Sequence, residues 1–103
     1  MGIAEKNNVE RDRQRTALVC SIERAQRMVE AMNPIGERES ERIQEFIAYN
    51  IPRCNALFME RQQFRSILRE LSYGRTEKSQ AVENLSQLKS SLLEENPIIE
   101  GAQ

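Results

Sequence analysis

The chain has 103 residues, 39% apolar and 30% charged, a length and composition that match one small domain and exclude a second. It contains no His and no Trp, and Cys20 and Cys54 stand alone, so zinc sites and histidine-based catalysis lose their usual ligands and bases; no metal, cofactor or enzymatic activity is expected. Fifteen Lys plus Arg against sixteen Asp plus Glu leave a formal charge of −1, with no net field to draw the chain onto nucleic acid or an anionic membrane.

The opening residues, Met1 to Asn8, lack the apolar core of a signal peptide, and nowhere do about eighteen apolar residues run together, so a cytoplasmic setting is expected. Gly2 after Met1 resembles a myristoylation start, but Lys6 stands where Ser or Thr is wanted. In that setting the two cysteines are expected to be small buried side chains on apolar stripes. Breakers fall at Asn33-Pro34-Ile35-Gly36, at Tyr73-Gly74 and at Asn96-Pro97, and the stretches between them are rich in helix formers. The fold expected is all-α, a three-helix antiparallel bundle with coiled-coil-like packing and helices over about 4–32, 38–72 and 76–96, flanked by flexible ends at 1–8 and 97–103.

The first helix carries Leu18, Ile22, Ala25, Val29 and Met32 on one line. Upstream that line meets Arg15 and Arg11, so residues 4–15 are either a solvated extension or a frayed end. Arg11, Arg13 and Arg15 are the densest basic cluster, yet Glu10 and Asp12 interleave with them and no aromatic residue lies among them, which argues against nucleic-acid binding.

The middle stretch keeps a four-three spacing through Ile43, Ile47, Asn50, Cys54, Leu57, Arg61, Phe64, Leu68 and Leu71. A second line, Phe46, Ile51, Phe58 and Ile67, widens the apolar face enough for two neighbouring helices. Pro52 interrupts it, removing a backbone hydrogen bond and clashing with the preceding turn at about 3 kcal/mol. The unbroken register favours a kinked helix; the competing reading ends one helix near Tyr49 and starts another with Pro52 in its first turn. Gly74 suits a left-handed C-terminal cap and Thr76 the next N-cap. The last helix then buries Ala81, Leu85, Leu88 and Leu92 until Pro97 ends it.

Several residues invite a functional reading beside a plain one. Arg61, Arg65 and Arg69 form a column of like charges that repel by a few tenths of a kcal/mol per pair. They suit an acidic partner, a phosphate or RNA, unless Glu60, Glu70 and the acids of the last helix neutralise them. Asn50 and Arg61 in an apolar line set register if they find mates, or else turn outward into solvent. Met28, Met32 and Met59 make either an adaptable groove or ordinary core. Arg27 and Arg38 are separated as in the small helical chorismate mutases, whose further Asp/Arg/Glu cluster is missing.

Residues 34–80 resemble the second half of the small flagellar and type III export chaperones. The shared features are the turn Pro34-Ile35-Gly36, the long helix with Ile47, Ile51, Leu57, Arg61 and Leu68, and the end at Gly74-Arg75-Thr76; Pro52 departs from the family's uninterrupted helix. The resemblance implies a cytosolic chaperone that holds a helical segment of an export client in an apolar groove. The partner-binding residues expected are Leu57, Phe58, Arg61, Phe64, Arg65, Ile67, Leu68 and Leu71. The alternatives are a structural subunit of a homodimer or larger coiled-coil assembly, and an inhibitor that sequesters a regulatory protein.

Overall fold

The computed structural model describes residues 3–94, with side chains from Val9 onward. The expected flexible tail at 97–103, the stop at Pro97 and the side chains of residues 1–8 lie outside the described residues. Among those described the chain is all-helical, but with four α-helices rather than three: α1 Ile3–Ala31, α2 Glu37–Tyr49, α3 Phe58–Ser72 and α4 Lys78–Glu94, plus one 3-10 turn at Asn55–Leu57.

The expected middle helix is therefore divided, not kinked. Helix α2 stops at Tyr49, where the N–H of Asn50 still reaches the Phe46 carbonyl at 2.8 Å. Pro52 has no N–H to continue that ladder and disfavours helical geometry in Ile51. The chain runs through a connector of eight residues, 50–57, and returns as α3. The four-three spacing survives the break because each half carries its own apolar stripe; folded back, Ile43 and Phe46 of α2 and Phe64, Leu68 and Leu71 of α3 all enter one core.

Helix α1 packs on α4, α4 on α3 and α3 on α2. The Arg24 guanidinium of α1 lies 5.9 Å from the centre of the Phe46 ring of α2, which closes the four-helix circuit. Phe46 in turn meets Phe64 edge-on, with ring centres 6.2 Å apart. The molecule measures 51 × 22 × 19 Å, and α1, about 43 Å long at 1.5 Å per residue, runs most of its length. Residues 4–15 are thus a helical extension of α1 and not a separate frayed arm.

The end of the bundle that holds the α1–α2 and α3–α4 turns is closed mainly by local chemistry. Gly74 has φ 74°, its N–H reaches the Leu71 carbonyl at 3.1 Å, and the next N–H, of Arg75, reaches Glu70 at 2.9 Å, a Schellman cap as its sequence position predicts. Gly36 opens α2, and Glu39 Oε1 accepts from its N–H at 3.0 Å. The Asn33–Pro34 peptide bond is cis. Helix α4 starts later than Thr76 predicts: the Glu77 carbonyl accepts the first helical bond, from Ala81 at 2.9 Å. Lys78 then turns back on α1, donating to the carbonyls of Glu30 at 3.1 Å and Met32 at 2.7 Å, a cation at the negative end of that helix. Farther along, Gln26 donates to Ser86 at 2.8 Å and Lys89 faces Glu23 at 3.6 Å, which sets α1 and α4 antiparallel.

Two expectations about the core are corrected. Cys54 is buried, but Cys20 is exposed. It stands two residues from both Leu18 and Ile22, about 200° round the helix from the stripe, and so faces away from the core. The three methionines do not assemble: Met32 is core, Met28 flanks it, and Met59 sits in the first turn of α3 at the opposite end of the bundle, 67% exposed.

Candidate interaction surface

At that opposite end the connector 50–57 leaves backbone groups that no helix can satisfy, and polar side chains of α1 supply the partners. Ser21 Oγ donates to the Asn50 carbonyl at 2.8 Å and Arg24 to Asn50 Oδ1 at 3.2 Å. Gln14 Oε1 accepts from the Ala56 N–H at 2.9 Å, and Arg11 donates to the Ala56 carbonyl at 2.6 Å. From α3, Arg61 Nε donates to the Pro52 carbonyl at 2.8 Å. The two polar residues that interrupt the apolar line, Asn50 and Arg61, thus both find mates within the chain, as a register-setting role requires. Cys54 sits inside this clasp, its Sγ 3.5 Å from the Pro52 carbonyl; burial pushes its thiol above the ordinary value, against the pull of the Arg61 charge, so it stays a neutral side chain. A shallow cavity of about 240 Å³ lies beside the clasp, lined by Cys20, Arg24, Tyr49 and Pro52 among others. Its cation, Arg24, is held by Asn50 and lies near Phe46.

The eight expected partner-binding residues divide sharply. Leu57, Phe64 and Leu68 are 0% exposed and Leu71 is 3% exposed, so the groove predicted for a client is filled by the protein's own helices. The reason is the break at Pro52: a continuous helix of that length leaves part of its stripe uncovered, whereas a hairpin covers each half with the other. Ile67 is half-buried and lines the shallow α3–α4 groove with Gln63, Asn84 and Leu88. Phe58, Arg61 and Arg65 remain within reach of solvent on α3.

Phe58 belongs to a larger set. Among the described residues the large apolar side chains left exposed are Val9, Tyr49, Phe58, Met59, Tyr73 and Leu93. All but Tyr73 share one end of the bundle: Tyr49 closes α2, Phe58 and Met59 open α3, Leu93 is next to last in α4, and Val9 precedes the α1 segment that clasps the connector. Val9, Met59 and Leu93 were not in the expected set. For Met59 the signal was present, because the phase of Phe64, Leu68 and Leu71 on α3 turns both Phe58 and Met59 outward; for Val9 and Leu93, on α1 and α4, no pattern in the sequence links them to that end.

No described carboxylate lies within ion-pair distance of Arg61, Arg65 or Arg69: Glu70 pairs with Arg75 at 3.4 Å, Glu83 accepts from Gln87, and Lys89 takes Glu23. Arg65 Nε is shut off from solvent without a hydrogen-bond partner, an arrangement that costs about 1–3 kcal/mol. The basic cluster of α1 differs: Arg13 faces Glu10 at 3.7 Å, Arg15 meets Asp12 at 2.7 Å and Arg11 holds the connector. No group of three or more His, Cys, Asp or Glu among the described residues is placed to hold a metal ion. No helix among them is long and apolar enough to cross a membrane.

No family model, curated protein or solved structure matches this chain. What its surface can do follows from these residues alone: an apolar end that water solvates poorly, beside a row of guanidinium groups with no described carboxylate within ion-pair distance.

Proposed function

We propose that the chain is a non-catalytic helical module that binds another protein, and that its partner meets the end of the bundle where α3 begins. The observation that carries this reading is the gathering of Tyr49, Phe58, Met59, Val9 and Leu93 at one end, when the core is already closed without them. Exposed apolar side chains scattered singly need no explanation, whereas several at one end of a small bundle suit an interface. The most concrete form is an adaptor or chaperone that holds a helical segment of a client, as the resemblance to export chaperones implies, but on the outer face at Phe58, Arg61 and Arg65 and not in a groove over Leu57, Phe64, Leu68 and Leu71.

Replacing Phe58 and Met59 together by Asp tests it, because both side chains are more than half exposed and the change leaves the core untouched. Affinity capture of the tagged wild-type protein and of the double variant, each from its own cytosol, is expected to yield one stoichiometric protein that only the wild type retains, while helical circular dichroism and the melting temperature agree. A partner retained equally by both overturns this placement. Recovery of the chain alone, with a sedimentation mass at a fixed multiple of 12.0 kDa, replaces the reading by a self-assembling subunit.

A further inference from the structure

The chemistry of the partner can be read from the side of α3 that the fold leaves charged. Arg61, Arg65 and Arg69 rise along that side over about 12 Å, since eight residues separate the first from the last. At 100° per residue, Arg65 and Arg69 fall on the side of α3 away from Gln63 and Ile67, and Phe58 falls with them. Like charges spaced by four residues on one helix repel, and neither α3 nor its neighbours bring a described carboxylate within ion-pair distance of them. The column is also partly dried and anchored: Arg61 Nε is tied to the Pro52 carbonyl, and Arg65 Nε is sealed from water without a partner. A guanidinium that has already lost part of its hydration attracts a carboxylate with less screening, and its planar fork takes both carboxylate oxygens.

We propose that this strip docks an acidic helical segment of a partner protein, with carboxylates spaced four residues apart on Arg61, Arg65 and Arg69 and an apolar side chain beyond them on Phe58. The inference rests on the protein-binding reading above and names the chemistry of the partner. A helix matches a helix in rise, so acidic side chains four apart meet arginines four apart without strain in either chain. A nucleic acid fits less well: stacking needs accessible aromatic rings between the cations, but Phe58 stands at the end of the row and Phe64, within it in sequence, is buried in the core.

The test is fluorescence anisotropy of the full chain with a labelled, helix-favouring synthetic peptide that carries three Glu at four-residue spacing and a Leu one turn beyond. Saturable binding is expected, weakened about tenfold by Arg65→Glu with Arg69→Glu and again by Phe58→Asp, and falling as salt shortens the Debye length from about 10 Å to about 3 Å. Arg69 is exposed, so Arg69→Glu alone preserves the fold and carries the test if the double variant melts early; a several-fold loss is expected of it. Equal binding of the same peptide with Gln in place of Glu overturns the acidic chemistry and leaves protein binding standing. Saturable binding of a single-stranded RNA of matched charge, with none of the peptide, overturns both. Absence of saturation by either probe overturns the strip.

Discussion

The two ends of the bundle are closed by different means, and the contrast shows which contacts hold the fold and which are left for a partner. At the end with the Gly74 turn, the chain reverses mainly through bonds made within a few residues, Gly74 N–H to the Leu71 carbonyl, Arg75 N–H to the Glu70 carbonyl and Gly36 N–H to the Glu39 carboxylate, with Lys78 adding one long-range tie to the Glu30 and Met32 carbonyls. At the other end the reversal through 50–57 is tied by side chains far away in sequence, Arg11, Gln14, Ser21 and Arg24 of α1. The mainly local closure leaves Tyr73 as its one exposed large apolar side chain among the described residues, whereas long-range closure spends the polar groups of α1 on the connector and leaves Phe58 and Met59 at its exit in water.

This contrast is broken most directly at Leu57. It is the buried residue of the 3-10 turn, and Leu57→Ala is expected to cost about 2–5 kcal/mol in denaturant unfolding, through a cavity under the connector. A cost below about 1 kcal/mol means that the connector is not seated on the core. Next in size is Gly74→Ala: no atom lies within 4 Å of the added Cβ, so the cost is that of the left-handed backbone alone, about 1–2 kcal/mol in thermal melts, with helix content unchanged. An unchanged melting temperature shows that the local cap does not carry its end. The smallest effect is expected at Gln14→Ala, about 0.5–1.5 kcal/mol, since one hydrogen bond to the connector is lost near the surface. It sharpens the comparison through amide exchange: the Ala56 N–H loses protection while the Arg75 N–H, bonded to Glu70 at the far end, keeps its own. Equal loss at both places means that the two ends open together.

Part of this arrangement is legible in the residues themselves. The stripe Leu18, Ile22, Ala25, Val29, Met32 is buried at 0–3%, as its spacing requires, and Ala81, Leu85, Leu88 and Leu92 follow suit. Gly74 adopts the positive φ its position calls for. The middle stretch misleads for a physical reason: a heptad spacing that continues across Pro52 looks the same whether the second half extends the first or folds back upon it, because periodicity records which face is apolar and not where that face points. The candidate surface inherits the same ambiguity. Leu57, Phe64, Leu68 and Leu71 share the apolar line, so spacing alone groups them as a groove, and the hairpin then covers them. Cys20 went astray differently, being an apolar residue outside the helical phase of its neighbours.

By itself the amino-acid sequence determined that the chain is helical, where its Gly turn falls, which side of α1 and α4 is apolar, and that Pro52 disrupts the middle stretch. These are local matters of backbone sterics, missing donors and the 3.6-residue period. Tertiary structure alone decided that Pro52 divides the helix, that α1 side chains bind the connector, and that Phe58 and Met59 face water while Phe64 does not. Those outcomes depend on which surfaces meet after the chain reverses. Burial of apolar area is non-directional, so the choice belongs to the packed bundle as a whole and to no single segment of it.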